Sequence, residues 1–208
     1  MKIAVIGAGA GIGLQTVLQA LEKGHSVTAL STDTSTIPNH QLLTKINGSA
    51  TIAADLNQAI KGADAVLITV GTKNKKATTL FSDIAKALIK ATSELKLLSP
   101  VITVTGFGSG ESKNYLTFFM RTVIQLFLKE QYINKTLMEE LISNSSINWE
   151  IVRPGMLTNG PLTKTYSALP KLYKGMKVGK ISRKDVAHFL IEQAENKKFL
   201  MKYVALTN

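Results

Sequence analysis

Seven residues constrain this chain more than any others: Gly7-Ala8-Gly9-Ala10-Gly11-Ile12-Gly13. They follow an apolar run, Lys2–Ile6, and open a stretch, Gly11–Lys23, in which Leu14, Val17, Leu18 and Leu21 recur at helical spacing. A strand that passes through glycines into a helix has a physical purpose at each glycine. One makes the tight turn, one admits a close backbone approach, and one lets the helix pack hard against the strand. The helix start then offers unpaired N–H groups and a partial positive charge, which suits a diphosphate. Gly7, Gly9, Ala10, Gly11, Ile12 and Gly13 are therefore read as a dinucleotide-binding turn. The competing reading is a glycine-rich turn with no ligand.

The rest of the chain repeats the alternation that such a turn requires. Ser26–Leu30, Ser49–Ala53, Ala65–Val70, Val101–Thr105 and Ile147–Val152 read as further buried strands. Ala77–Lys96 carries Leu80, Ile84, Ala87, Leu88 and Leu95 at helical spacing, and Gly24-His25 ends the first helix. This order predicts an α/β fold: a doubly wound parallel sheet, Rossmann-like, in three α/β/α layers. The 208 residues suit one domain over 1–208, with a loop-rich, substrate-side region at about 154–181 where Pro and Gly accumulate. Ser182 with Asp185 three residues on starts a final helix, Arg183–Asn196, by a capping-box-like arrangement.

Composition removes several function classes. With no cysteine, a thiolate metal site and a cysteine nucleophile are excluded, and a reducing, cytoplasmic setting fits. No apolar run approaches the roughly 18 residues of a membrane span, and the N-terminus lacks a signal-peptide pattern, so no membrane partner is expected. His25, His40 and His188 are scattered, so no metal site is expected. The net charge of +11 favours anionic ligands, but the lysines are dispersed and aromatics make up only 6%, unlike a nucleic-acid footprint. A small-molecule partner and a monomeric or homodimeric state are the expectation.

The second strand ends Ala29-Leu30-Ser31-Thr32-Asp33. An acidic residue at this point ordinarily binds the ribose hydroxyls of NAD. Neither Ser31 nor Thr32 is acidic, and their hydroxyls are able to bond a 2′-phosphate, so NADP(H) is favoured over NAD(H). A plain polar turn is the other reading. Asp55 falls where an adenine amino group would lie, and it also reads as the N-cap of a helix over Leu56–Lys61.

Longer segments resemble one family. Gly7, Gly11 and Gly13 fit the G-x-x-x-G-I-G pattern of short-chain dehydrogenases; read against the G-x-x-G-x-x-G of extended and atypical members, Ala10 replaces the middle glycine. Ala63–Asn74, Trp149–Gly155, Gly160–Thr163 and Ile181–Ala187 continue the likeness in the family's order. The chain thus resembles the atypical short-chain reductases with an NAD(P)H-binding, NmrA-like domain, and most of all the biliverdin-IX-beta reductase/flavin reductase group. That resemblance implies that Gly71, Thr72 and Lys73 contact the cofactor, that Thr105 and Gly106 lie beside the nicotinamide, and that Pro154 to Met156 flank its other side. Where relatives carry Ser after the fifth strand this chain has Gly106, with Ser109 the nearest hydroxyl, and Met156 stands where they have His. Ser109 and Thr105 are accordingly the catalytic candidates.

The usual short-chain Tyr-x-x-x-Lys pair has no clear counterpart. Tyr173 and Lys177 have the spacing in the wrong region, while Tyr132 and Lys135 lie on the right helix three apart. Lys135 with Glu139 resembles the Lys-x-x-x-Glu of atypical members, making Lys135 a candidate ribose or substrate contact or, equally, half of a surface i,i+4 pair. Leu116–Leu128 is too apolar for one helical face, so its surplus is expected to wall the substrate or cover a subunit. The expected activity is hydride transfer from NAD(P)H to a flavin such as FMN, a quinone or a similar conjugated acceptor, which takes its proton from water. The alternative is an NmrA-like redox sensor or assembly protein that binds nucleotide without turnover.

Overall fold

The computed structural model describes residues 1–72 and 77–208. The chain opens with β1 (Lys2–Ile6), α1 (Gly11–Glu22), β2 (Ser26–Ser31), β3 (Leu43–Asn47), α2 (Ala53–Ile60), β4 (Ala65–Ile68), α3 (Leu80–Glu94) and β5 (Val101–Val104). A 3₁₀ turn (Gly110–Tyr115) leads to α4 (Phe118–Val123), a π-turn (Ile124–Leu128) and α5 (Lys129–Ser143). Then come β6 (Trp149–Pro154), β7 (Met156–Thr158), β8 (Ser167–Leu169), β9 (Lys180–Ser182), α6 (Arg183–Asn196) and β10 (Tyr203–Thr207).

Eight strands form one sheet in the order β3-β2-β1-β4-β5-β6-β10-β8; all neighbours are parallel except β8, which runs antiparallel to β10 at the edge. The expected Rossmann-like architecture is the one observed. Successive residues of β1 point to opposite sides, as the period of a strand demands. Ile3 and Val5 join the core under α1 and α6, while Ala4 and Ile6 join the core shared with α2, α3 and α5. Each fully buried Ile or Val side chain contributes about 2 kcal/mol, which is why both faces must be covered.

Two expectations shift. The third strand is not Ser49–Ala53 but Leu43–Asn47, which pairs with β2 from Val27↔Leu43 to Ser31↔Asn47. As the edge strand it has Ile46 as its one buried residue, so its sequence lacks the apolar density that marks an inner strand; Ala50 belongs to a turn and Ala53 begins α2. In the substrate-side region, β7 and β9 pair separately from Met156↔Lys180 to Thr158↔Ser182. The final helix begins as expected: the Ser182 hydroxyl accepts from Asp185 N at 3.0 Å. The Asp185 carboxylate in turn accepts from the backbone of Thr163 and Lys164, fastening the loop before β8 to α6.

Candidate functional site

The glycine turn is held by backbone contacts on every side. Gly7, at φ +86, and Ala8 both donate to the Leu30 carbonyl, which ties the turn to β2. A Cβ on Gly13 would collide with the Gly7 carbonyl and lie 2.6 Å from Thr69 Oγ1, so α1 sits on β1 as closely as backbone allows. At Gly9 a Cβ would strike Asp33 O and Ser31 Oγ, and the Thr36 hydroxyl donates to the Gly9 carbonyl at 2.5 Å. Ile12 is buried beneath the turn. Ala10, the N-cap of α1, brings no side-chain cap, and the first turn has no acidic residue. By contrast, Ser182 caps α6, and Asn134 Oδ1 accepts from Phe81 N and Ser82 N at the start of α3. The first N–H groups of α1 are thus left for an anion.

A cation that sequence reasoning missed stands beside them. Arg183 Nε lies 3.7 Å from where a Cβ on Gly11 would be, and its Nη1 donates to Asn159 Oδ1 at 2.8 Å. Its signal was a basic residue at the first helical position of α6, which only the packing of α6 against α1 brings to the turn.

At the end of β2, Ser31 is half-buried and Thr32 exposed, their hydroxyls at the rim of the turn. Asp33, two residues past the strand, accepts from Ser35 N at 2.9 Å, and the hydrogen bonds from Ser35 hold its carboxyl below the usual range. Asp55 is not an N-cap: Ile52 occupies that position, and Asp55, in the first turn of α2, accepts from Ser49 N at 2.7 Å. Its carboxylate closes the turn after β3. Gly71 is exposed, with no atom within 4 Å of a Cβ position, and Thr72 follows half-buried. Lys73 lies outside the described residues.

The carboxyl end of β5 is built differently, from side chains on one face of α5. Tyr132, Lys135, Thr136 and Glu139 stand three and four apart, the spacing that stacks residues along one face. Lys135 Nζ donates to the Thr105 carbonyl at 2.8 Å. Burial pushes this ammonium down to about 8, opposed by the Glu139 charge. A Cβ on Gly106 would lie 3.0 Å from the Tyr132 hydroxyl and 3.6 Å from Lys135 Nζ, so these two side chains meet over Gly106 despite their three-residue spacing. Burial raises the Tyr132 phenol to about 12.

Beneath them, Glu139 gathers a buried network. Its Oε1 accepts from Thr105 Oγ1 and from Ser109 Oγ, both at 2.6 Å, and from Arg153 Nε at 3.0 Å. Arg153 Nη2 donates to Glu139 Oε2 at 2.6 Å, while its outer edge bonds Glu111 at 2.8 and 3.0 Å. Lys135 and Glu139 are therefore not a surface pair: the carboxylate belongs to Arg153 and the ammonium to a strand-end carbonyl. Ser109 is fully buried, its one hydroxyl proton within reach of both Glu139 Oε1 and the Gly106 carbonyl, which places it within the floor of the site rather than on its open surface. The Lys-x-x-x-Glu resemblance named Glu139 and the Trp149–Gly155 segment contained Arg153, but their pairing was missed; its trace on α5 is a polar i, i+3, i+4, i+7 face, whereas Arg153 lies on β6.

Pro154 closes β6 with its carbonyl accepting from Phe107 N, and Met156, partly exposed, opens β7. Gly155 and Met156 share a small cavity of about 40 Å³ with Leu116, Met120 and Tyr132. Among the described residues no three His, Asp or Glu side chains converge to hold a metal ion, and no helix is long and apolar enough to cross a membrane.

Strand order, an uncapped glycine turn and converging strand ends define a Rossmann-like fold with the features of a dinucleotide site. The sequence profile of a family described as NAD(P)H-binding matches residues 7–197, and the chain belongs to that family. It is similar to the uncharacterized sugar epimerase YhfK of Bacillus subtilis, 28% identical over 95% of this chain and 89% of that protein. Among solved structures it is similar to a wide-type short-chain dehydrogenase/reductase from Veillonella parvula in complex with NADP, at TM-score 0.84 and 19% identity over all of this chain and 94% of the other. It is also similar to ChuY, an anaerobillin reductase from Escherichia coli O157:H7, at TM-score 0.81 and 24% identity over all of this chain and 97% of the other. At these identities the structures speak for the fold.

Proposed function

We propose that this protein is an NAD(P)H-dependent reductase that passes hydride to a flat conjugated acceptor such as a flavin or a quinone. Its NAD(P)H-binding family supports the coarse reading, and the reductase named among its structural neighbours is in keeping with it. The observation that carries the finer reading is the commitment of both Thr105 and Ser109 hydroxyls to Glu139. They hold the floor still and direct their protons at Glu139, which supports an acceptor that takes hydride on a ring and draws its proton from water.

In this reading the N–H groups of Gly11 to Gly13 and the Arg183 guanidinium bind the diphosphate, and Ser31 and Thr32 bind the 2′-phosphate of NADP(H). Lys135 fixes the strand end by holding the Thr105 carbonyl, and Gly106, lacking a Cβ, leaves room for the Tyr132 hydroxyl and Lys135 Nζ to meet above it. The bound nicotinamide supplies the hydride. Orientation by a rigid floor is the protein's main contribution to rate.

The test is oxidation of NADPH and NADH by the purified protein with FMN, riboflavin, a quinone and a dye, alongside calorimetric titration of both nucleotides. Turnover above a Gly13→Val control supports the reductase. Tight nucleotide binding with no turnover on any acceptor would replace it with the second reading, a nucleotide-binding sensor, which the same commitment of Thr105 and Ser109 also favours.

A further inference from the structure

The Tyr132 ring is a wall shared by two spaces. On one side is the small cavity beside Gly155 and Met156; on the other is a groove of about 440 Å³ between the 3₁₀ turn and the helical arm formed by α4, the π-turn and α5. Leu116 is also common to both. The groove has the size of a small-ligand site. Its lining includes buried Ile124, half-buried Leu116 and exposed Ile133, together with exposed Lys113, Arg121 and Lys129. No carboxylate lines it.

Two other cations are paired with two carboxylates each: Lys23 bonds Glu192 and Glu195, and Arg153 bonds Glu111 and Glu139. Lys113, Arg121 and Lys129 have no ion pair with any described carboxylate. Three like charges around one concavity raise its positive potential and repel one another until an anion enters. A lining both apolar and cationic selects an amphipathic anion, with a hydrophobic stem and a phosphate or carboxylate.

We infer that this groove holds the anionic tail of the electron acceptor while its conjugated ring lies on the other side of Tyr132, at the carboxyl ends of β5 and β6. The inference rests on the reductase reading and narrows it: the acceptor carries a phosphate or carboxylate on a flexible stem. A neutral acceptor with the same ring would leave the three cations unpaired and bind less well.

FMN and riboflavin share a ring and differ by one phosphate, so they test this directly. With saturating NADPH, FMN is expected to show a KM about tenfold below that of riboflavin, since each partly exposed charge contact contributes up to about 1 kcal/mol. An Arg121→Ala/Lys129→Ala variant, changed only at exposed positions, should raise the FMN KM to the riboflavin level, leave riboflavin unchanged and keep kcat. The FMN advantage should also shrink with added salt, as expected of partly exposed charges. Equal KM values for the two flavins in the unaltered protein, or an FMN advantage that survives in the variant, would overturn the inference. If neither flavin is reduced, the flavin form of the reductase reading fails, and equilibrium binding measured by quenching of flavin fluorescence decides the groove separately. Phosphate-dependent FMN binding that the variant loses would keep the groove as an anion site; absent or phosphate-independent binding would end it.

Discussion

The two ends of the site reach rigidity by opposite means. Around Gly7–Gly13 the order is made by backbone: carbonyls of Leu30 and Gly7, the Thr69 hydroxyl and the absence of Cβ atoms. Around Thr105 it is made by side chains, with Glu139 at the centre of four hydrogen bonds from Thr105, Ser109 and Arg153. Backbone order suits a ligand common to a whole family, whereas side-chain order is altered by single substitutions. The difference teaches where this chain is able to specialise: at β5, α5 and the helical arm, not at the turn.

Substitution at each end should separate the two. Glu139→Ala leaves Arg153 buried without its inner partner, and loss of one member of a buried pair costs about 3–5 kcal/mol. Chemical denaturation should register that loss while nucleotide affinity, measured on the folded fraction, stays within about twofold. An equal loss of nucleotide affinity would mean that the two ends are coupled. The mirror experiment is Gly13→Val. The overpacked junction should cost about 1–3 kcal/mol of stability and, by displacing the N-terminus of α1, remove detectable NADPH binding in calorimetry; unchanged binding would break the assignment of the turn.

A third variant probes the sheet beside the second end, in the strand next to β5. Glu150 in β6 is fully buried, and both its carboxylate oxygens lack hydrogen-bond partners. Burial pushes its carboxyl from 4.5 to about 8, so the folded protein keeps the proton at neutral pH while the unfolded chain releases it. Between those values the folded state binds more protons, and stability falls as pH rises, by up to about 1.4 kcal/mol per unit. Glu150→Gln should flatten denaturation midpoints measured from pH 5 to pH 8, to be compared with the slope of the unaltered protein. An identical slope in both would show that Glu150 is not the group responsible.

Smaller effects sharpen the nucleotide end. Arg183→Ala should weaken NADPH and NADH alike by about fivefold, the worth of one exposed charge contact to the diphosphate, read by titration. Asp33→Asn removes a carboxylate two residues past β2 and should shift the NADPH to NADH affinity ratio upward by about twofold to fivefold. A ratio that does not move would place the 2′-phosphate away from that turn.

Much of this was legible in the chain alone. The glycine turn, the strand and helix alternation and the Ser182–Asp185 start of α6 are signals contained within a few residues, where backbone conformation and side-chain period act directly. The strand at Leu43–Asn47 escaped because an edge strand needs little apolar surface, and Asp55 was misplaced because the position of the N-cap depends on where that strand ends. What only the tertiary structure decided is the chemistry at the far end: Lys135 reaching the Thr105 carbonyl, Arg153 meeting Glu139, Arg183 arriving beside Gly11, and Tyr132 standing between two cavities. Each joins residues from different elements, and a helical sequence records which residues share a face but not which strand end that face will meet.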